Sequence, residues 1–174
     1  MIKEDFMKAL LIFSTAVALL GSALHAEMNA SLQGDWTGKR IPKGEQCKKF
    51  GGNGATPPIK ITGIPKGTVE IEAEFNDRNY QPLSYSGGHG IVGFAVKGNS
   101  VTLPQFPGET SDKKLFPKGS RIIKNSRGRI NGVPIKGYLP PCSGGKNNRY
   151  EVLLKARSKE GKVLEKVYLT IGRY

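Results

Sequence analysis

The amino-acid sequence predicts an all-β domain, and three observations carry that prediction. Apolar and polar residues alternate with period two in separated stretches, loops rich in Gly and Pro punctuate them, and beyond the N-terminal region no stretch reads as a long amphipathic helix. In the first stretch Val69, Ile71, Ala73 and Phe75 fall on one face of a strand, with Glu70, Glu72 and Glu74 on the other. Tyr150, Val152, Leu154 and Ala156 repeat the pattern, as do Val167, Leu169 and Ile171. Residues 91–96 are continuously apolar apart from Gly93, as expected of a strand covered on both faces. The loops fall at 48–58, 63–67, 85–90, 104–108 and 137–145. Residues 159–166 read either as a short helical segment or as a hairpin loop around Gly161. No internal repeat and no second domain stands out, so residues 27–174 are expected to form a single domain.

Residues 1–26 read as an export signal: Lys3 and Lys8 precede an apolar run from Ala9 to Leu20, then small residues. Met7 is an alternative start, and cleavage after Ala23 or Ala26 suits the small-residue exit. The run is short for a membrane span, which takes about 20 residues; an uncleaved anchor is the alternative, and no later segment could span a membrane. The expected location is the periplasm or outside the cell.

The formal net charge is +13, and removing residues 1–26 leaves it unchanged because two basic and two acidic residues go together. Such a surplus attracts polyanions and anionic surfaces through its summed field. For an exported protein these are phosphorylated small molecules, lipid headgroups, an anionic envelope surface or an acidic protein; chromosomal DNA is out of reach. Cys47 and Cys142 allow a single pairing, and in an oxidising compartment a disulfide is the default. Closing a loop of about 95 residues would contribute roughly 4–5 kcal/mol in the chain-entropy model. Two free buried thiols are the alternative. Two cysteines and one histidine beyond residue 26 are too few for a zinc site built on N and S ligands, and no cofactor is expected.

That histidine, His89, follows Gly87-Gly88 and precedes the apolar strand, which puts its ring near the rim of a sheet. Imidazole titrates near neutrality and can bind an anion by hydrogen bonds. Asp77 ends the strand of residues 69–75, and Tyr150 opens another. The three could meet at one sheet edge; a turn histidine and a solvated turn aspartate are the plainer alternatives. No Gly-x-Ser-x-Gly elbow and no facing carboxylate pair stands out, so a hydrolase using His89 is the weakest reading. Residues 118–136 carry Lys118, Arg121, Lys124, Arg127, Arg129 and Lys136 with almost no aromatics. The stacking platform of single-strand nucleic-acid binders is therefore missing, and the segment reads as a basic patch for phosphate groups or an acidic partner, or as a solvated loop.

A series of short motifs resembles one family. Cys47 is followed by Gly51-Gly52-Asn53, Thr56-Pro57-Pro58-Ile59, Ile64-Pro65-Lys66-Gly67-Thr68 and a strand ending in Asn76-Asp77. Then come His89 before a strand, Leu115-Phe116-Pro117-Lys118-Gly119, Gly137-Tyr138 with Pro141-Cys142, Arg149-Tyr150, and Leu169 to Tyr174 at the close. In this order they resemble bacterial phosphatidylethanolamine-binding proteins, the family that includes Raf-kinase-inhibitor-like proteins. The resemblance implies a β-sheet fold with a small anion pocket formed by Asp77, His89, Pro141 and Tyr150, with Tyr138 nearby. Four residues depart from the family pattern. Arg78-Asn79 replaces Pro-Asp, Gly90 replaces a Trp, and Asn148 stands where a second histidine is expected; Asn148 can still donate to a phosphate oxygen but cannot carry charge. The helical insertion before the last strand is also expected to be short or absent. The leading functional reading is a non-catalytic binding protein for a phosphorylated small molecule or headgroup. The second is an interaction or enzyme-inhibitor module acting through its loops and the basic segment.

Overall fold

The computed structural model describes residues 27–174; the proposed export signal lies outside the described residues. Among the described residues ten strands form a three-stranded sheet, a five-stranded sheet and a small hairpin. The first sheet holds β1 (Asn29–Leu32), β2 (Ile59–Thr62) and β5 (Ser100–Leu103) in the order β1-β2-β5. The second holds β3 (Thr68–Asp77), β4 (Gly90–Ala95), β6 (Ser120–Lys124), β9 (Arg149–Ser158) and β10 (Val163–Arg173) in the order β10-β9-β3-β4-β6, antiparallel throughout. Strands β7 (Arg129–Ile130) and β8 (Val133–Pro134) pair only with each other. Among the described residues the helical elements are three single 3-10 turns, at Lys48–Phe50, Gln81–Leu83 and Lys113–Leu115, and no helix is long and apolar enough to cross a membrane.

One hydrophobic cluster draws on both sheets. Ile59, Ile61 and Leu103 enter it from the smaller sheet, and Ile71, Ala73, Phe75, Val92, Phe94, Val152, Leu154 and Ala156 from the larger. The alternation predicted on β3 and β9 marks the core face from Ile71 onward, as a period-two pattern must when one face is buried; Val69, expected on the same face, is exposed, because the register with β9 shifts between Thr68 and Glu70. On β4 the side chains are buried as far as Phe94 and Ala95 is exposed. Residues 159–162 form the β9–β10 turn, so the hairpin alternative holds: Ser158 N–H donates to Lys162 O, and Gly161 takes the left-handed backbone at φ 81°.

The other face of the larger sheet is not simply solvated. Glu72 and Glu74 are each only 7% exposed, beneath an ionic ladder. Lys155 Nζ lies 3.1 Å from Glu72 Oε1 and 2.7 Å from Glu74 Oε2, while Arg157 Nη2 lies 2.7 Å from Glu72 Oε2. Burial opposes ionisation of Glu74, but the Lys155 hydrogen bond and charge hold its carboxyl below the usual range. The ladder exists because antiparallel register sets Glu72 opposite Lys155, with Glu74 and Arg157 each two residues along on the same face.

Candidate functional site

The ends of three adjacent strands, β9, β3 and β4, create the site. Asp77 is the last residue of β3 and pairs with Tyr150, the second residue of β9. Phe75 pairs with Gly90, the first residue of β4, and accepts a hydrogen bond from His89 N–H at 3.0 Å. Register thus brings together the backbone positions of the acid, the imidazole and the phenol that the sequence distributes over 74 positions.

His89 needs one further device. Strict alternation would send it to the face of Ile91, away from Val92 and Phe94. Gly90 breaks the alternation with φ 110°, and the ring turns inward to meet Tyr150 edge-on at a centroid distance of 5.3 Å. A Cβ at Gly90 would also stand 3.0 Å from Gly137 O and 3.1 Å from Tyr138 Cα. Glycine here is thus required twice over, which accounts for one departure from the family motif.

His89 is 2% exposed. Its Nδ1 lies 2.7 Å from Leu139 O; a carbonyl can only accept, so Nδ1 carries the proton. Burial lowers the imidazole pKa below 6.5, against the opposing pulls of Leu139 O and the Asp77 charge, so the ring is neutral near pH 7 and Nε2 offers a lone pair. Nε2 is buried with no hydrogen-bond partner. Asp77, 3% exposed, accepts from Asn79 N–H at 2.9 Å on Oδ1 and from Asn148 Nδ2 at 2.7 Å on Oδ2. Both residues that depart from the family pattern beside the site, Asn79 and Asn148, are therefore clamps on this carboxylate, and Asn79 Oδ1 also accepts from Arg149 N–H at 2.7 Å.

These groups face a cleft of about 830 Å³. Asp77, His89, Leu83 and Leu139 are its buried side chains; Lys49, Arg127, Arg129 and Lys146 stand exposed around it, and Phe50, Tyr80 and Pro82 add apolar surface at the mouth. Asp77 is the one acid on a wall that carries four cations. The remaining residues implied by the family motif sit elsewhere. Tyr150 lies behind His89 with its hydroxyl accepting from Cys142 N–H at 3.1 Å, and its burial lifts the phenol pKa above the ordinary range. Tyr138, 1% exposed, packs on Phe75 at 4.7 Å in the core, and Pro141 is buried with its carbonyl accepting from Cys47 N–H. None of these three forms part of the cleft wall.

The basic segment does not form one patch. Arg121 turns to another groove, where its Nε and Nη2 donate to the two Glu70 carboxylate oxygens, each at 2.8 Å. Lys124 Nζ donates to Ser86 O, and Lys118 and Lys136 are exposed. Arg127 is committed to the carbonyls of Pro82, Tyr85 and Ser86, which holds the 80–86 loop against the cleft. Arg129 donates to Gly132 O within its own hairpin.

Sequence reasoning missed Lys49, Phe50 and Lys146. Their one signal was the cysteine pair. A Cys47–Cys142 disulfide is present, with Cys142 on the cleft wall, and it ties residues 48–50 to residues 143–146. Among the described residues no cluster of three or more His, Cys, Asp or Glu side chains could hold a metal ion.

No family model matches the sequence, and no curated protein matches it. Solved structures do. One is a phosphatidylethanolamine-binding protein homologue from Chlamydia trachomatis, 21% identical, with a TM-score of 0.54 over 85% of this chain and 97% of that one. The chain has the phosphatidylethanolamine-binding-protein fold. Escherichia coli YbcL, described as a member of the mammalian phosphatidylethanolamine-binding-protein family, aligns with a TM-score of 0.56 at 19% identity, over 86% of this chain and 98% of its own. At such identities the fold is shared while the side chains diverge, so the site of this phosphatidylethanolamine-binding-protein fold has to be read from its own residues.

Proposed function

We propose that this chain is an exported, non-catalytic binding protein of the phosphatidylethanolamine-binding type, taking a phosphorylated small molecule or lipid headgroup in the cleft beside His89. One observation carries the reading: a buried imidazole nitrogen without a partner lies at a cleft ringed by four cations and a single acid whose oxygens already accept hydrogen bonds. Lys49, Arg127, Arg129 and Lys146 draw the anion, and charge-assisted contacts to phosphate oxygens hold it. Export is supported by the N-terminal signal pattern and by a disulfide suited to an oxidising compartment.

The site lacks the relay of a hydrolase. His89 Nδ1 donates to a carbonyl where a triad places a carboxylate, and the Ser143 hydroxyl at the cleft donates to Tyr174 O at 2.6 Å. The interaction-module reading survives in one respect, because exposed Arg129 and Lys146 would face a partner as readily as a ligand.

An NMR titration of the protein with inorganic phosphate and phosphoethanolamine at millimolar concentration tests the proposal. Resonances of His89, Arg129 and Lys146 shift together, and Arg129→Glu combined with Lys146→Glu weakens the response. Silence of every cleft resonance would remove the reading. Arg127 is left alone in this test because its loss would release the 80–86 loop.

A further inference from the structure

The sequence contains two Asn-Gly steps, Asn53-Gly54 and Asn131-Gly132, and the fold treats them in opposite ways. An asparagine followed by glycine can modify itself. The glycine nitrogen gives up its proton to solvent hydroxide and attacks the Asn Cγ, ammonia leaves, and water opens the resulting cyclic imide to aspartate or isoaspartate. The step needs a backbone N–H free of any partner and room for the turn to move. A neighbouring positive charge favours loss of the proton, and a negative one opposes it.

At Asn53 these requirements fail. Gly54 is buried, its N–H donates to Gln46 O at 3.1 Å, and a Cβ there would stand 2.1 Å from Glu45 O. The Glu45 carboxylate is adjacent, accepting from Ala55 N–H at 2.9 Å. Asn131 and Gly132 are instead the two exposed turn residues between β7 and β8, where Ile130 pairs with Val133. Among the described residues, Gly132 N–H has no hydrogen-bond partner, and nothing beyond its chain neighbours lies within 4 Å of where its Cβ would stand. Arg129 donates to Gly132 O, which sets a positive charge beside the amide that must ionise. Because this hairpin pairs with neither sheet, its turn can open locally while the sheets stay intact.

From this contrast we infer that Asn131 is a self-modifying site of the folded chain and Asn53 is not. The product carries a carboxylate two residues from Arg129, on the rim of the cleft. Isoaspartate also lengthens the backbone by one methylene, in a hairpin whose register depends on a two-residue turn. The cationic pull of the rim therefore weakens as the protein ages. That consequence rests on the proposed anion-binding role; the chemistry at Asn131 does not.

The test incubates the full folded protein, and a second sample unfolded in guanidinium chloride, for days at mildly alkaline pH. Both are then digested with an acid-active protease, and the Asn131 and Asn53 peptides are resolved by mass spectrometry. In the folded sample the Asn131 peptide is expected to convert from amide to acid about tenfold faster than the Asn53 peptide, the factor one unbroken backbone hydrogen bond imposes. In the unfolded sample the two should convert at similar rates, because the protection of Asn53 belongs to the fold. Equal rates in the folded sample, or an Asn131 that converts only after unfolding, would overturn the inference. Asn131→Asp should weaken the phosphate response of Arg129 and Lys146 about two- to fivefold; an unchanged response would overturn the effect on the rim. A cleft that ignores phosphate while Asn131 still converts would remove the anion-binding reading and leave the self-modification standing.

Discussion

Removing the disulfide perturbs stability and site together, because Cys47 is fully buried and Cys142 forms part of the cleft wall. The bridge spans a sequence separation of 95. In the chain-entropy model a loop of that length contributes about 4–5 kcal/mol by restricting the unfolded chain. For a domain of this size each kcal/mol moves the melting temperature by roughly 2–4 °C, so a fall of about 10–15 °C is expected. The native fold should persist at room temperature, since Cys47 and Cys142 pack in a small cluster with Leu83 and Leu139, apart from the main core. The 48–50 and 143–146 segments then lose their covalent tie, so phosphoethanolamine affinity should drop more than the sheet structure changes. Thermal unfolding of the Cys47→Ser/Cys142→Ser variant followed by far-UV circular dichroism, with an NMR titration alongside, measures both. A melting temperature within about 3 °C of the wild type would refute the loop-closure reasoning, and unchanged affinity would refute the tie between disulfide and cleft.

Other consequences follow from the same geometry. His89 is held neutral by burial, so its native pKa lies below 6.5. Below that value the unfolded chain takes up a proton that the native state refuses, and stability must fall as pH drops from 6.5 toward the native pKa. The slope of the urea midpoint against pH in this window should flatten in His89→Gln. Gly90→Ala forces a Cβ to within 3.0 Å of Gly137 O at φ 110°; it should cost about 2–3 kcal/mol in urea unfolding and displace the His89 ring signals. Lys155→Ala strips the shared partner from Glu72 and Glu74, each 7% exposed, and should cost about 2 kcal/mol. Arg121→Ala breaks the pair with Glu70, but its guanidinium side chain is 60% exposed and screened, so the cost should stay below about 1 kcal/mol; denaturant titrations of the two variants side by side check the contrast.

Much of the fold was legible because period-two alternation is a local record of burial. Ile71, Ala73 and Phe75 were assigned to the core face from their neighbours alone, as were Val152, Leu154 and Ala156. The Glu70, Glu72 and Glu74 face was legible as polar but not as a buried ladder, because the partners Lys155 and Arg157 lie more than 80 residues away and only register sets them opposite. The motifs singled out Asp77 and His89, and both line the cleft. They did not reveal that Tyr138 and Pro141 sit beneath the surface, since a motif records which residues cluster and leaves open which of them face solvent.

Taken alone, the amino-acid order determined the strand-bearing character, the net charge of +13, the single possible cysteine pairing and the identity of the one histidine beyond residue 26. Each of these is a property of composition or of near neighbours. Tertiary structure decided the rest. It scattered the run of six cations, turning Arg127 and Arg129 to the cleft and Arg121 to another groove, brought Lys49 and Lys146 to the same cleft though neither motif nor spacing marked them, and left His89 Nε2 without a partner. The physical reason is that hydrogen-bond satisfaction and charge proximity are set by strand register and by one bridge across 95 residues, and these long-range constraints have no signature within a short window of chain.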